Sequence, residues 1–599
     1  MIDVSLLCPL CSSNFTFSKT NISIEFHCEG CGFKSSVSGE LDEIEAYNRL
    51  ISKHKKQRQS STRKKHAFPT KSRKRRYQVS KSEKLEEDLI INKNVNEVKS
   101  TLENISLPSV LSKIINDHTY LPVYVDHFPK TLPESDEEMH ELGLDPRMVT
   151  KLIERGIENL YNYQQEAFRL IQNNHNLIIT APTGLGKTEA FLLPIIQSIL
   201  DLRKKDPQTK TIQALLIYPT KALAADQFLK IIDYTHHVDV TAAIYDGDTP
   251  QDARKLIYKS PPDILITNPD MIHYHLMRNL SFQGMIKTLR FIVLDEIHLC
   301  VSSYGTNILW ILRRLRRFSS DFISIGASAT ISNAKSFAET LFDGPVKLIS
   351  VGNARKSDLY LTMVYPKERS NLSTMAKAST YFLEEGYKTL LFGNGHLSAE
   401  SLNLMLRQYG YNSQIHRAGL PIAHRKMVEN LFRSGSLDAL VSTPTLELGI
   451  DIGSLDSVVS MLTSVTSFVQ RIGRAGRKGQ QSFATLVLRG DDPISAYYAR
   501  NPKDYLTAME PAFVEPNNSL VSYHQMLAML LDKPLHRNEI DKYDQYLTQL
   551  FDEELIVKTN YGVGVRSRDG AREKLHDYSI RGIGNSVSIL HKDKIIGER

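Results

Sequence analysis

A chain of 599 residues has room for three or four domains of ~100–200 residues each, and with 41% apolar residues it can build their cores. No apolar run is long enough to cross a bilayer, and MIDVSLLCPLC lacks the basic start and apolar core of a signal peptide. A cytosolic protein is therefore expected, or a nuclear one in a eukaryotic host, with no membrane partner. The formal charge of +7 is unevenly placed, because residues 51–80 carry twelve Lys/Arg and no carboxylate; without that tract the chain would stand at −5.

In chain order, residues 1–50 read as a zinc ribbon. Four of the five cysteines form two pairs, Cys8/Cys11 in CPLC and Cys28/Cys31 in CEGC. The spacing between the pairs suits four thiolates meeting one tetrahedral Zn²⁺, a structural site with no open position for chemistry. Two disulfides are the alternative, which a reducing compartment disfavours. Cys300, alone in an apolar run, is expected to be a core thiol.

Residues 51–95 form a basic linker whose charges repel and which has little to bury. It is either a solvated connection or a nucleic-acid tether, and KSRKRR would serve as a nuclear address in a eukaryote. Residues 96–150 are expected to be an N-terminal helical region, centred on EEMHELGLDPRMVTKLIERG.

From residue 160 short apolar runs alternate with helical patterns: NLIIT, ALLIYP, DILITN, FIVLDE and FISIGASAT. The series pauses at SVGNARKSDLY. It restarts with KTLLFGN, NSQIHRAG, DALVST, DSVVSM and FATLVLR. Buried strands alternating with helices predict parallel sheets. Two consecutive α/β domains follow, over 151–350 and 351–495, with an accessory region over 496–599.

APTGLGKT lies between a predicted strand and a predicted helix, the setting that makes it a phosphate-binding loop. Gly184 and Gly186 let backbone N–H groups curl around phosphate oxygens, and the helix N-terminus adds its dipole. Lys187 reaches for the β- and γ-phosphates, and Thr188 is a Mg²⁺ ligand. The strand FIVL then delivers Asp295 and Glu296 at its carboxyl end, where open α/β sheets bind ligands. Asp295 is read as the second Mg²⁺ ligand and Glu296 as the group that orients and deprotonates water. QRIGRAGR offers Gln470, Arg474 and Arg477 from the second domain to stabilise charge on the transferred phosphate.

Together these motifs resemble superfamily 2 helicases of the DEAD/DEAH-box type, here DEIH. YNYQQEA resembles the Q motif, with Gln164 as adenine reader. SAT, from Ser328 to Thr330, resembles motif III. YPTKALAADQ and TNPDMIH resemble motifs Ia and Ib. STPTLELGIDIG and QRIGRAGR resemble motifs V and VI, which adds Asp451 to the nucleotide ligands. The finer resemblance is to the Lhr-like and MrfA-like branch of DNA repair helicases, through YDGDTP, SATISNAKSFAETLF and the segment from DDPISAYYAR to LDKPL. It implies two tandem RecA-like motor domains, a winged-helix-like region behind them, and ATP-driven 3′→5′ movement on single-stranded DNA with unwinding of tailed duplexes.

By the same resemblance, Thr220, Thr267, Arg417 and Thr443 contact the phosphates of the bound strand, positioning it without reading sequence. The motif ILRRLRR is expected to be a helix with a basic outer face. MrfA-like enzymes carry a C-terminal four-cysteine module, and no cysteine follows Cys300 here. A truncated chain or a cysteine-rich partner protein would account for that. The competing readings are an RNA-stimulated ATPase of the same fold and a nucleic-acid-binding scaffold with an ATP-switched motor. Repair and defence against foreign DNA are the two expected settings.

Overall fold

The computed structural model describes 93–98 and most of 107–582, without 137, 207–210, 330, 353, 368, 448–451 and 478. It also gives the backbone of five further strands. Three of these, β1 (Phe15–Lys19), β2 (Ser23–Cys28) and β3 (Lys34–Ser38), form an antiparallel meander in a unit of their own, Met1–Lys81. Cys28 ends β2, but Cys8, Cys11 and Cys31, Thr330 and Asp451 lie outside the described residues. All that follows belongs to the second unit, Ser82–Arg599.

The region 96–150, expected to be helical, holds a nine-residue strand, β4 (Tyr120–Phe128). Its run YLPVYVDHF is rich in β-branched and aromatic residues, which favours strand over helix. The helix pattern around DPRMVTKLIE does form, over Pro146–Glu154, capped by Asp145 accepting from the Arg147 amide.

The first α/β domain is built on β5 (Leu177–Thr180), β6 (Ala214–Ile217), β7 (Ala242–Tyr245), β8 (Ile264–Thr267), β9 (Phe291–Leu294), β10 (Ile323–Ser328) and β11 (Lys347–Ser350). They form one sheet in the order β11-β5-β10-β9-β6-β8-β7, every pair parallel. LIIT, ALLI, ILIT and FIVL are buried along their whole length because helices cover both faces.

The second α/β domain uses β12 (Leu359–Pro366), β13 (Thr389–Phe392), β14 (Ser413–His416), β15 (Ala439–Ser442), β16 (Ser457–Met461) and β17 (Ser482–Val487). Its order is β14-β15-β13-β16-β17-β12-β4. The strand β4, which precedes the first domain in sequence, thus closes the sheet of the second, antiparallel to β12. The first domain is inserted between two crossings, and these pair with each other: Thr131 and Arg355 exchange backbone hydrogen bonds of 3.0 and 2.7 Å.

After the two α/β domains, the helix Ser519–Asp532 is followed by β18 (Leu535–His536), helices Arg537–Tyr543 and Thr548–Asp552, and the hairpin β19 (Ile556–Thr559) with β20 (Gly562–Val565). This order of helices and hairpin is that of a winged helix, and one more helix, Arg568–Lys574, follows it. A strap over 508–518 leads into it. The Glu510 carboxylate accepts from the amides of Val465 and Thr466 at 3.1 and 3.4 Å, capping the helix that carries Gln470. Ala512 and Asn333 of the first domain bond reciprocally at 2.9 and 2.8 Å. Gly305 permits the approach, since a Cβ there would lie 2.1 Å from the Cys300 carbonyl oxygen and 2.7 Å from Val514.

The helix Ser302–Arg316 corrects the expectation of a basic outer face. Arg314 is fully buried and holds Asp532 of the winged helix through two bonds of 2.7 and 2.8 Å. It also donates to Gln525 and meets His273. Arg317 pairs with Glu539, and Trp310 packs edge-on against Tyr546. The winged helix covers this face, with Arg314 and Arg317 as its anchors, while Arg313 pairs with Asp343 of the first domain. Cys300 is buried, as expected.

Candidate active site

The phosphate loop leaves the carboxyl end of β5, a strand hydrogen-bonded on both sides. Gly184 and Gly186 adopt φ of 84° and 91°, the left-handed region that turns the loop back into the helix Lys187–Lys205. Lys187 Nζ donates to the Ala181 carbonyl at 2.6 Å, and Thr188 Oγ1 donates to Gln227 Oε1 at 3.2 Å. Both groups stand at the first turn of that helix, where backbone N–H groups have no helical partner.

The helix Asn162–Gln172 braces the loop. Tyr163 donates its hydroxyl to the Leu185 carbonyl at 2.7 Å. Gln164 lines the cavity as expected, but both ends of its amide are engaged: Nε2 donates to the Gly186 carbonyl at 2.9 Å and Oε1 accepts from the Tyr161 amide at 2.9 Å. In this arrangement it fastens the loop and keeps one N–H and one lone pair of its amide unused by these two bonds.

Asp295 and Glu296 follow β9 and face the loop. Glu296 is buried and takes a left-handed backbone with φ of 51°, uncommon for a residue with a side chain and characteristic of functional turns. Burial and the adjacent Glu296 raise the Asp295 carboxyl above the ordinary aspartate range, while Lys187 opposes that rise. Burial pushes the Lys187 ammonium down, against the pull of the two carboxylates.

The second domain completes the site. Gln470 meets His298 Nε2 across the cleft, and His298 Nδ1 lies 3.1 Å from Ser328 Oγ and 3.4 Å from Glu296 Oε2. Thr183 of the loop donates to the Gly473 carbonyl at 3.0 Å. Arg474 donates to the Glu447 carbonyl at 2.6 Å; burial and the neighbouring Arg477 drive its guanidinium well below the arginine range. Arg471 of the same motif is an internal anchor, bonded to Glu447, Ser460 and Asn394.

These groups enclose a cavity of ≈ 550 Å³, lined by Gln164, Gly184, Gly186, Lys187, Thr188, Asp295, Glu296, Arg474 and Arg477. That donor set fits a polyphosphate with a divalent cation: left-handed glycines and a helix N-terminus, three cationic side chains, and a hydroxyl opposite a carboxylate. Sequence reasoning missed the Glu189–Lys230 ion pair of 2.8 Å, Asp226, and Lys356 on the same wall. Glu189 directly follows GKT, a readable cue; Lys356 gave none.

The strand-contact candidates form one couple per domain. Thr220 and Thr267 stand at the ends of neighbouring strands β6 and β8, and Arg417 and Thr443 beyond β14 and β15. Thr220 is partly exposed and caps its helix by accepting from the Leu223 amide at 3.3 Å. Thr267 is 1% exposed and donates its hydroxyl to the Tyr245 carbonyl at 2.7 Å, so that hydroxyl is committed inside the fold. Its neighbour Asn268 instead caps the next helix. Thr443 is also buried, and Arg417 pairs with Glu400 at 2.9 Å.

The DEAD/DEAH box helicase family model matches residues 161–337, and the helicase conserved C-terminal domain matches 373–479. The chain is 30% identical over 465 residues to the uncharacterized ATP-dependent helicase YprA of Bacillus subtilis, spanning 74% of this chain and 60% of that protein. With the ATP-dependent helicase hrq1 of Schizosaccharomyces pombe it shares 29% over 425 residues, 65% of this chain and 39% of hrq1. The chain thus spans less than two thirds of these relatives. The crystal structure of the DUF1998 helicase MrfA bound to DNA superposes with a TM-score of 0.71 at 26% identity, covering 83% of this chain and 68% of that one. The motifs, their order and their meeting in one cleft agree with these matches: the chain carries a DEAD/DEAH box helicase domain and a helicase conserved C-terminal domain, and it is similar to Lhr-like and MrfA-like helicases.

Proposed function

We propose that the chain is an ATP-dependent DNA helicase or translocase, moving 3′→5′ along single-stranded DNA. The observation that carries this is the cavity, to which one domain brings Lys187, Asp295 and Glu296 and the other Arg474 and Arg477. When bound, ATP with Mg²⁺ supplies a hydrolysable γ-phosphate. Backbone N–H groups from Gly184 to Thr188 hold phosphate oxygens, and Thr188 and Asp295 would hold the cation. Glu296 orients and deprotonates a water. Arg474 and Arg477 balance charge as it develops, at groups that only a closed cleft brings together. The Gln470–His298–Ser328 chain reports closure across the domains. Closure and release thereby become relative domain movement.

DNA as the substrate is supported by the MrfA structures solved bound to DNA, one of them also with AMPPNP. A role in repair or in defence against foreign DNA, within a larger complex, belongs to the same proposal, as does a structural Zn²⁺ on Cys8, Cys11, Cys28 and Cys31. Metal content per chain measures the last point directly.

The test is steady-state ATP hydrolysis alone, with single-stranded DNA, and with RNA of the same sequence, followed by displacement from 3′- and 5′-tailed duplexes. DNA is expected to stimulate hydrolysis at least about 10-fold, as the loss of ~1.4 kcal/mol from the barrier requires. Displacement is expected only from the 3′ tail. Stimulation by RNA alone would replace DNA with RNA in the proposal, and no stimulation by either would overturn the stand-alone motor.

A further inference from the structure

The second crossing between the motor domains runs over 351–358, and one of its side chains, Lys356, reaches the nucleotide cavity. The segment is pinned on both sides of it. Arg355 pairs with Thr131 of the first crossing. Ser357 Oγ lies 3.3 Å from Ser482 Oγ, and the Asp358 carboxylate accepts from the Lys130 amide at 3.0 Å. Lys356 also borders a smaller cavity with Thr183 and Gly184 of the loop and with Arg477.

The Lys356 ammonium is half-buried and makes no hydrogen bond or ion pair with any described residue. Burial and Lys230 hold it below the ordinary lysine range, and Glu189 partly offsets them. A cation in that position is costly unless an anion meets it. The ribose and base of a nucleotide are neutral; its polyphosphate is the anion that this cavity fits.

We infer that Lys356 is a phosphate-binding residue supplied by the hinge, so that a bound nucleotide grips the crossing between the motor domains as well as their facing walls. The inference rests on the nucleotide site proposed above. It extends that site to a residue outside every motif read from the sequence. The crossing leads directly into β12 at Leu359, so contact with phosphate favours the hinge conformation in which Lys356 points inward.

Affinities for ATP, ADP and adenosine are measured by calorimetry on the full chain and on Lys356→Ala, Lys356→Gln and Lys356→Arg. The alanine and glutamine variants are expected to bind ATP and ADP about 10- to 100-fold more weakly, the worth of one charge-assisted hydrogen bond, with adenosine unchanged. The arginine variant should keep ATP within a few-fold of wild type. Under saturating DNA the loss should fall on KM and leave kcat within about twofold, as for contacts equal in ground and transition states. Unchanged ATP affinity in both the alanine and glutamine variants would overturn the inference, as would an equal loss for adenosine. A wild-type chain that bound no ATP would overturn the motor reading itself, and this inference with it.

Discussion

Glu296→Gln is expected to lower ATP turnover by about 10²–10⁴-fold, the usual worth of a positioned general base, while ATP affinity stays within a few-fold. The amide keeps the size of the carboxylate, so the buried left-handed turn at φ 51° and the packing against His298 are retained. What is lost is the group that accepts the proton of the attacking water. Phosphate release at saturating ATP and single-stranded DNA checks this. Turnover within tenfold of wild type would place the base elsewhere, with His298 the next candidate on the same wall.

The second large effect is on stability. Arg314→Leu removes one member of an ion pair with no exposure on either side chain, leaving Asp532 buried opposite an aliphatic group. Breaking such a pair costs about 3–5 kcal/mol. The loss should appear at the junction between the first motor domain and the winged helix, because Gln525 and His273 lose their shared partner as well. Limited proteolysis should release a C-terminal fragment from the variant under conditions that leave the wild type intact, and urea unfolding should gain an early transition. The double variant Arg314→Met/Asp532→Leu should recover only part of the loss, since the apolar pair leaves no charge stranded but does not restore the partner of Gln525 and His273. A single variant within 1 kcal/mol of wild type would show that the junction does not depend on the pair.

Much of the motor was legible because its signals are local. LIIT and FIVL are continuous apolar runs because both faces of their sheet are covered, and the phosphate loop and DEIH sit at strand ends that the runs themselves mark. The misses share a different cause. Strand β4 was hidden because the strand that pairs with it belongs to the second domain, beyond the whole of the first. ILRRLRR looked like a solvated face because the module that covers it lies about 200 residues downstream. Thr267 matches its motif, yet the hydroxyl turns inward to the Tyr245 carbonyl, which spacing alone does not reveal. Lys356 occupies a pause between regular patterns, and its reach into the cavity exists only once two crossings pair.

The insertion of one motor domain into the other also bears on biosynthesis. Tyr120–Phe128 leaves the ribosome early, yet the strand that pairs with it, Leu359–Pro366, emerges about 230 residues later. At ~5–20 residues per second that is a wait of about 10–50 s. The inserted domain can collapse during this interval, since its seven strands all lie between the two crossings. The early strand cannot, and its free hydrogen-bonding edge stays open to pairing with other chains. The yield of native molecules is therefore expected to fall when translation slows between the two strands, and to rise with anything that shields that edge, quantities to which the stability of the finished fold is blind.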